Sequence, residues 1–253
     1  MTHSTLRQCA QDVATSYYWS GDVLRSRSVS DVVLSATLDV PAPPARLQAD
    51  WQRDIDVRLG LEPGDVESLS LPRARTRWPD YRHCVQAMAD WTHALGLGDV
   101  LNSSELALMA CRGARYHHDG AQYGGAAFCN LFLSEDKGFD LHFASTGHRI
   151  PLVRGTAVVF DTGLPHAVIA RHRSGFDLAD FAGERDCTQV FLTWELPVEH
   201  VPVAQLLKIG FDTQPATALL LSDEEVQLNG ARSTLCPETG RWMPTDPPKL
   251  SGP

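Results

Sequence analysis

Between Leu106 and Pro197 the chain is a succession of short β-rich runs broken by turn signals: LALMACRGARYHH, AAFCNLFLS, FDLHFAS, GTAVVFDTG, HAVIARH and CTQVFLTWELP. Strands this short, at this spacing, predict an antiparallel barrel or sandwich. With 253 residues the chain is long enough to bury a sizeable core around such a barrel and still enclose a pocket. Apolar residues make up 43% and charged residues 21%, which excludes disorder along the whole length and excludes a fibrous repeat.

The flanks read differently. Residues 29–40 (VSDVVLSATLDV) are rich in β-branched side chains and predict a strand. The run Pro41-Ala-Pro-Pro44 ends it, since proline has no N–H to give to a ladder. Residues 80–95 predict a helix, because Tyr81, Val85, Met88, Trp91 and Leu95 recur at three- and four-residue steps. Asp80 is placed to cap it and Gly96 and Gly98 to stop it. Near the C-terminus, Asn229-Gly230 sits between two alternating runs, the strongest short hairpin signal. The final TDPPKLSGP reads as a loose end. No linker is evident. The expectation is one domain over 1–253: a mixed region 1–105, a β core 106–197 and a C-terminal extension 198–253 with a hairpin.

Charge and cysteine content narrow the setting. Twenty-two Lys and Arg against 31 Asp and Glu give a formal charge of −9. Such a chain is repelled by phosphate backbones and anionic membranes, so neither nucleic acid nor membrane is expected as a partner. The six cysteines are scattered with no CxxC pair, and read as reduced thiols. The polar N-terminus lacks an apolar signal core, and no apolar stretch approaches the roughly 20 residues that span a bilayer. The expected compartment is the cytoplasm.

Chemistry concentrates in Tyr116-His117-His118-Asp119-Gly120. On a strand, positions i and i+2 share a face, so His117 and Asp119 converge while His118 turns away. His166 follows Asp119 by 47 residues, in FDTGLPHAVIA, where it opens another predicted strand. Two imidazoles and one carboxylate on one face of a metal leave three positions open, the arrangement of non-haem Fe(II) oxygenases.

Three segments carry a resemblance to the Fe(II)- and 2-oxoglutarate-dependent dioxygenases: RGARYHHDG, NLFLSEDKGFDLHF and RGTAVVFDTGLPHAV, followed by RDCTQVFLTWELP. The resemblance covers about 90 residues, a third of the chain. It implies a mainly β fold with flanking helices around a double-stranded β-helix (jelly-roll or cupin-like) core. It also implies that His117, Asp119 and His166 ligate iron. The activity implied couples oxidative decarboxylation of 2-oxoglutarate by O2, giving succinate and CO2, to attack on an unactivated C–H bond.

Members of that family hold the far carboxylate of 2-oxoglutarate with an Arg or Lys on or near the strand after the distal histidine. Arg185, Arg171 and Arg173 compete for this role; Arg185 opens the strand and is preferred, with Arg171 second. Cys187 stands where the family often has a hydroxyl residue, a departure from the pattern. Asn130, Tyr123 and Thr193 are read as structural groups inside the barrel, His142 as a satisfied core histidine, and Arg73, Arg75, Arg77 and Arg82 as a solvated face. Asp119 argues against halogenation, which in this family needs Gly or Ala there. By elimination, the expected reaction is hydroxylation of a small molecule, a free amino acid or a biosynthetic intermediate. The alternatives are a 2-oxoglutarate-independent cupin-type metal enzyme and a non-catalytic cupin-like binding protein.

Overall fold

The computed structural model describes residues 12–60, 62–182 and 186–245. Its strands, in chain order, are β1 (Ala14–Ser20), β2 (Val23–Ser28), β3 (Leu34–Thr37), β4 (Val66–Leu69), β5 (Glu105–Cys111), β6 (Ala114–His117), β7 (Ala126–Phe132), β8 (Phe139–Phe143), β9 (His148–Pro151), β10 (Thr156–Asp161), β11 (His166–Ala170), β12 (Gln189–Pro197), β13 (Glu225–Leu228), β14 (Ala231–Leu235) and β15 (Trp242–Pro244). The main helices are α1 (Ala45–Arg53), α2 (Leu71–Arg77) and α3 (Tyr81–Ala94).

Two antiparallel sheets face each other. The larger has the order β3-β10-β7-β12-β5-β4 and the smaller β6-β11-β8-β9. This is a double-stranded β-helix, as the resemblance implied. Alternation along the strands sorts their side chains into two layers. On β12, Val190, Leu192, Trp194 and Leu196 pack outward with Leu47, Trp51, Trp78, Cys84 and Met88 from the helical layer. Phe191 points into the barrel, as do Phe128 and Phe132 of β7, Val158 and Phe160 of β10, and Phe139, Leu141 and Phe143 of β8. A strand buried on both faces needs apolar residues at nearly every position, which is why TAVVFD and HAVIA lack polar alternation.

The third sheet was not foreseen. Its order, β15-β14-β13-β1-β2, joins the two ends of the chain. The predicted hairpin is its C-terminal half: Asn229 and Gly230 adopt φ of 52° and 75°, the left-handed pair that a type I′ turn requires. The predicted helix is α3, although Asp80 makes no side-chain cap bond. The predicted strand over 29–40 shortens to β3, with residues 29–33 running free of any ladder. No helix among the described residues is long and apolar enough to cross a membrane.

Candidate active site

His117 ends β6 and His166 begins β11, and the two are direct cross-strand partners. Their rings therefore lie side by side on the inner face, with centroids 4.4 Å apart. Asp119 is two residues past His117, in the loop beyond β6 rather than on the strand itself. Its N–H donates to Thr162 O at 2.8 Å, which ties this loop to the turn that carries His166. Thr162 in turn donates its hydroxyl to Tyr123 O and Ala126 O, at 2.7 and 2.8 Å. Two glycines let these loops touch: a Cβ on Gly120 would stand 3.1 Å from Gly163 Cα and 2.7 Å from Val226 Cγ2.

His117, Asp119 and His166 each offer one ligand atom, and the three atoms lie within 4.8 Å of one another. Asp119 Oδ1 is 3.7 Å from His117 Nε2, and Oδ2 is 3.5 Å from His166 Nε2. The opposite ring nitrogens are committed. His117 Nδ1 bonds Arg115 O at 2.7 Å, and His166 Nδ1 bonds Leu164 O at 2.9 Å. A carbonyl can only accept, so each Nδ1 carries the proton and each Nε2 presents its lone pair to the cluster. Burial, reinforced by the neighbouring His117, holds His166 well below the usual imidazole range, which keeps it neutral. Burial also raises the Asp119 carboxyl, against the pull of His117 and His118. Two imidazoles whose Nε2 atoms face an adjoining carboxylate fit a first-row divalent metal. His118 turns away, its ring lying 5.3 Å from that of Trp242.

Aromatic rings wall the cluster. Phe160 lies 4.8 Å and Phe143 6.0 Å from the His166 ring. Farther in, Asn130 and Thr193 face one another across β7 and β12, and Asn130 Oδ1 is buried without a partner. Gln189, at the far end of β12, is fully buried with neither amide atom satisfied. His142 lies on the outer face of the smaller sheet, bonded to the Tyr116 hydroxyl.

The arginines proposed for the cosubstrate fare differently. Arg185 lies outside the described residues. Arg171 leaves the end of β11 and bonds Asp136 at 2.9 Å and Asp140 at 2.8 Å, on the outside of the barrel. Arg173 pairs with Asp177 and Asp180. The inward positions of β12 are Gln189, Phe191, Thr193 and Glu195, none of them a cation. Arg73 and Arg77 pair with Asp54 and Asp50, and Arg75 stacks over Tyr81.

Sequence reasoning missed Arg27 and Asp161, which brace the turn before His166. One of the two arginines of RSRS and an Asp in FDTG carry no local signal; only the third sheet brings them together.

No family model matches the chain, and no curated protein matches it in sequence. Among solved structures, the chain is similar to a prolyl-4-hydroxylase from Pseudomonas putida, with 20% identity over 67% of this chain and 93% of that one, at a TM-score of 0.36. It is also similar to AviO1 from Streptomyces viridochromogenes, at 16% identity, 66% and 90% coverage and a TM-score of 0.39. A third is EvdO2 from Micromonospora carbonacea complexed with 2-oxoglutarate, at 13% identity, 67% and 91% coverage and a TM-score of 0.36.

Proposed function

We propose that the protein is an Fe(II)- and 2-oxoglutarate-dependent oxygenase that hydroxylates an unactivated C–H bond of a small molecule, either a free amino acid or a biosynthetic intermediate. The observation that carries this reading is the commitment of both Nδ1 atoms to backbone carbonyls, which leaves two Nε2 lone pairs and the Asp119 carboxylate converging on one point. Three protein ligands on one face leave room for a bidentate cosubstrate and a gas. Bound there, iron supplies the activation of O2 that is coupled to decarboxylation of 2-oxoglutarate.

The chain's own residues prepare this chemistry. His117, Asp119 and His166 hold the metal. Phe128, Phe143 and Phe160 keep bulk water from the reacting centre. The keto acid end of the cosubstrate would be held at the metal, and its far carboxylate would need a cation or hydrogen-bond donors within the barrel. In this reading Arg185, four residues before β12 in the sequence, is its cation, and Arg171 stays with Asp136 and Asp140. Buried polar groups without partners call for a ligand or a water, so Gln189, whose Nε2 and Oε1 are both unpartnered, belongs to the same pocket.

Succinate formation across a panel of small amino acids and their derivatives tests the reading. At least one compound is expected to raise O2-dependent succinate formation above the uncoupled rate, and Asp119→Ala is expected to abolish it. Loss of metal dependence would remove the proposal. The inward face of β12, bare of cations, favours a second reading, a cupin-type metal enzyme that needs no 2-oxoglutarate. Metal-dependent O2 uptake at full rate without 2-oxoglutarate would decide for it.

A further inference from the structure

One rim of the barrel carries two carboxylates side by side. Glu195 of β12 and Glu105 of β5 are direct cross-strand partners. Like charges placed so destabilise a sheet. Neither forms an ion pair or a side-chain hydrogen bond with any described residue. Several sequestered carboxylates of the fold are matched by an arginine: Asp161 by Arg27, Asp140 by Arg149 and Arg171, Asp50 by Arg77, Asp180 by Arg173. Glu195 is half-buried and Glu105 exposed, and neither has such a counter-charge among the described residues.

Their surroundings are those of a ligand site. Across β7, Glu195 pairs with Phe128, and Phe128 pairs with Phe160 of β10, whose ring packs on His166. At about 4.8 Å per strand, Glu195 stands roughly 10 Å across the sheet from Phe160. The Tyr123 ring meets that of Phe128 edge to face at 5.2 Å, on the same rim. One inward step below this row lie Thr193 and Asn130. Asn130 is 6% exposed, faces the barrel interior, and leaves Oδ1 without a donor. The unmet groups here are acceptors: two carboxylates and a carbonyl, beside two aromatic rings. Carboxylates with aromatic faces are the chemistry that holds an alkylammonium ion.

We infer that the substrate carries a protonated amine, held by Glu195 and Glu105 against Tyr123 and Phe128, with Asn130 accepting from it or from a neighbouring N–H. The inference rests on the oxygenase reading only in calling this cation the substrate. It identifies Glu195 and Glu105 as residues that set specificity.

The test is calorimetric titration of the full Fe(II)-loaded chain, without oxygen, with 1,4-diaminobutane and with its neutral counterpart 1,4-butanediol. The diamine is expected to bind at least tenfold more tightly. The advantage should shrink as salt is raised. It should also fall at least tenfold in Glu195→Gln/Glu105→Gln. Glu105→Gln alone, on the exposed rim, serves if the double variant does not fold, and should lose part of the advantage. Equal binding of diamine and diol, no binding of the diamine, or a glutamine variant that binds it as the parent does would each overturn the inference. Iron(II) uptake is read in the same samples. Uptake without ammonium preference overturns the inference and leaves the oxygenase reading. Ammonium preference without uptake does the reverse.

Discussion

Arg27 and Asp161, 134 residues apart, form a bidentate ion pair with both side chains wholly buried, at 2.7 and 2.8 Å. The pair is saturated. Arg27 Nε donates to Gly124 O at 2.7 Å, and Asp161 accepts from Ser30 N and Gly163 N, each at 2.8 Å. It joins β2 of the terminal sheet to the end of β10, and through Gly124 and Gly163 to both loops of the metal cluster.

Breaking this pair on one side leaves the other charge buried and unpaired, which costs about 3–5 kcal/mol. Arg27→Ala is therefore expected to lose that much stability in urea denaturation. Because the turn before His166 loosens, its iron(II) affinity should fall as well. A loss below about 1 kcal/mol, the usual size for an exposed pair, would show that the pair is not the brace described.

Removing any one of the three ligands should remove metal retention. His117→Ala, Asp119→Ala and His166→Ala are each expected to bind less than a tenth of the iron of the parent at equal free Fe(II). His118→Ala, whose ring packs on Trp242, is expected to keep it. Retention in His117→Ala with loss in His118→Ala would reverse the assignment of the two neighbours.

The two arginines separate cleanly in cosubstrate binding. If Arg185 neutralises the far carboxylate, Arg185→Ala should weaken 2-oxoglutarate by two to three decades, the equivalent of about 3–4 kcal/mol. Arg171→Ala breaks only the outer pairs with Asp136 and Asp140 and should change it less than threefold. Equilibrium titration of 2-oxoglutarate into the metal-loaded, oxygen-free variants measures both. The reverse order would assign the far carboxylate to Arg171 instead.

Glu195 yields a pH signature. Burial first, and Glu105 second, raise its carboxyl above the ordinary value, with Tyr123 also on this rim. A carboxyl whose folded pKa is raised binds its proton more tightly in the folded state. Its contribution is thus most favourable below the unfolded pKa and is lost as pH rises through the folded one. Glu195→Gln should remove that loss. The variant is expected to gain stability over the parent at pH 7 and to gain less at pH 4. Equal differences at both pH values would contradict the assignment.

The barrel was legible because its signal is local: short runs, frequent turns, and HxD and HAV blocks at strand ends. The hairpin at Asn229-Gly230 was legible for the same reason, two residues dictating a turn. What joins β13 to β1 is not local. Pairings such as Tyr17 with Glu225 depend on where the barrel places the chain ends, and no periodicity in 14–28 announces them. His117, Asp119 and His166 were legible as a cluster because their types are rare in combination, and they do lie together. Arg27 and Asp161 were not, since each alone reads as a common surface residue. Cys187 lies before β12 and is buried among the apolar residues of the barrel.

An Fe(II) ion held by His117, Asp119 and His166 and chelated by 2-oxoglutarate would absorb visible light. The most direct measurement is the visible absorption spectrum of the Fe(II)-loaded protein in the absence of oxygen as 2-oxoglutarate is added. The account predicts a charge-transfer band that saturates at one cosubstrate per chain and is absent in Asp119→Ala. A spectrum unchanged at saturating 2-oxoglutarate, with iron bound, would contradict it.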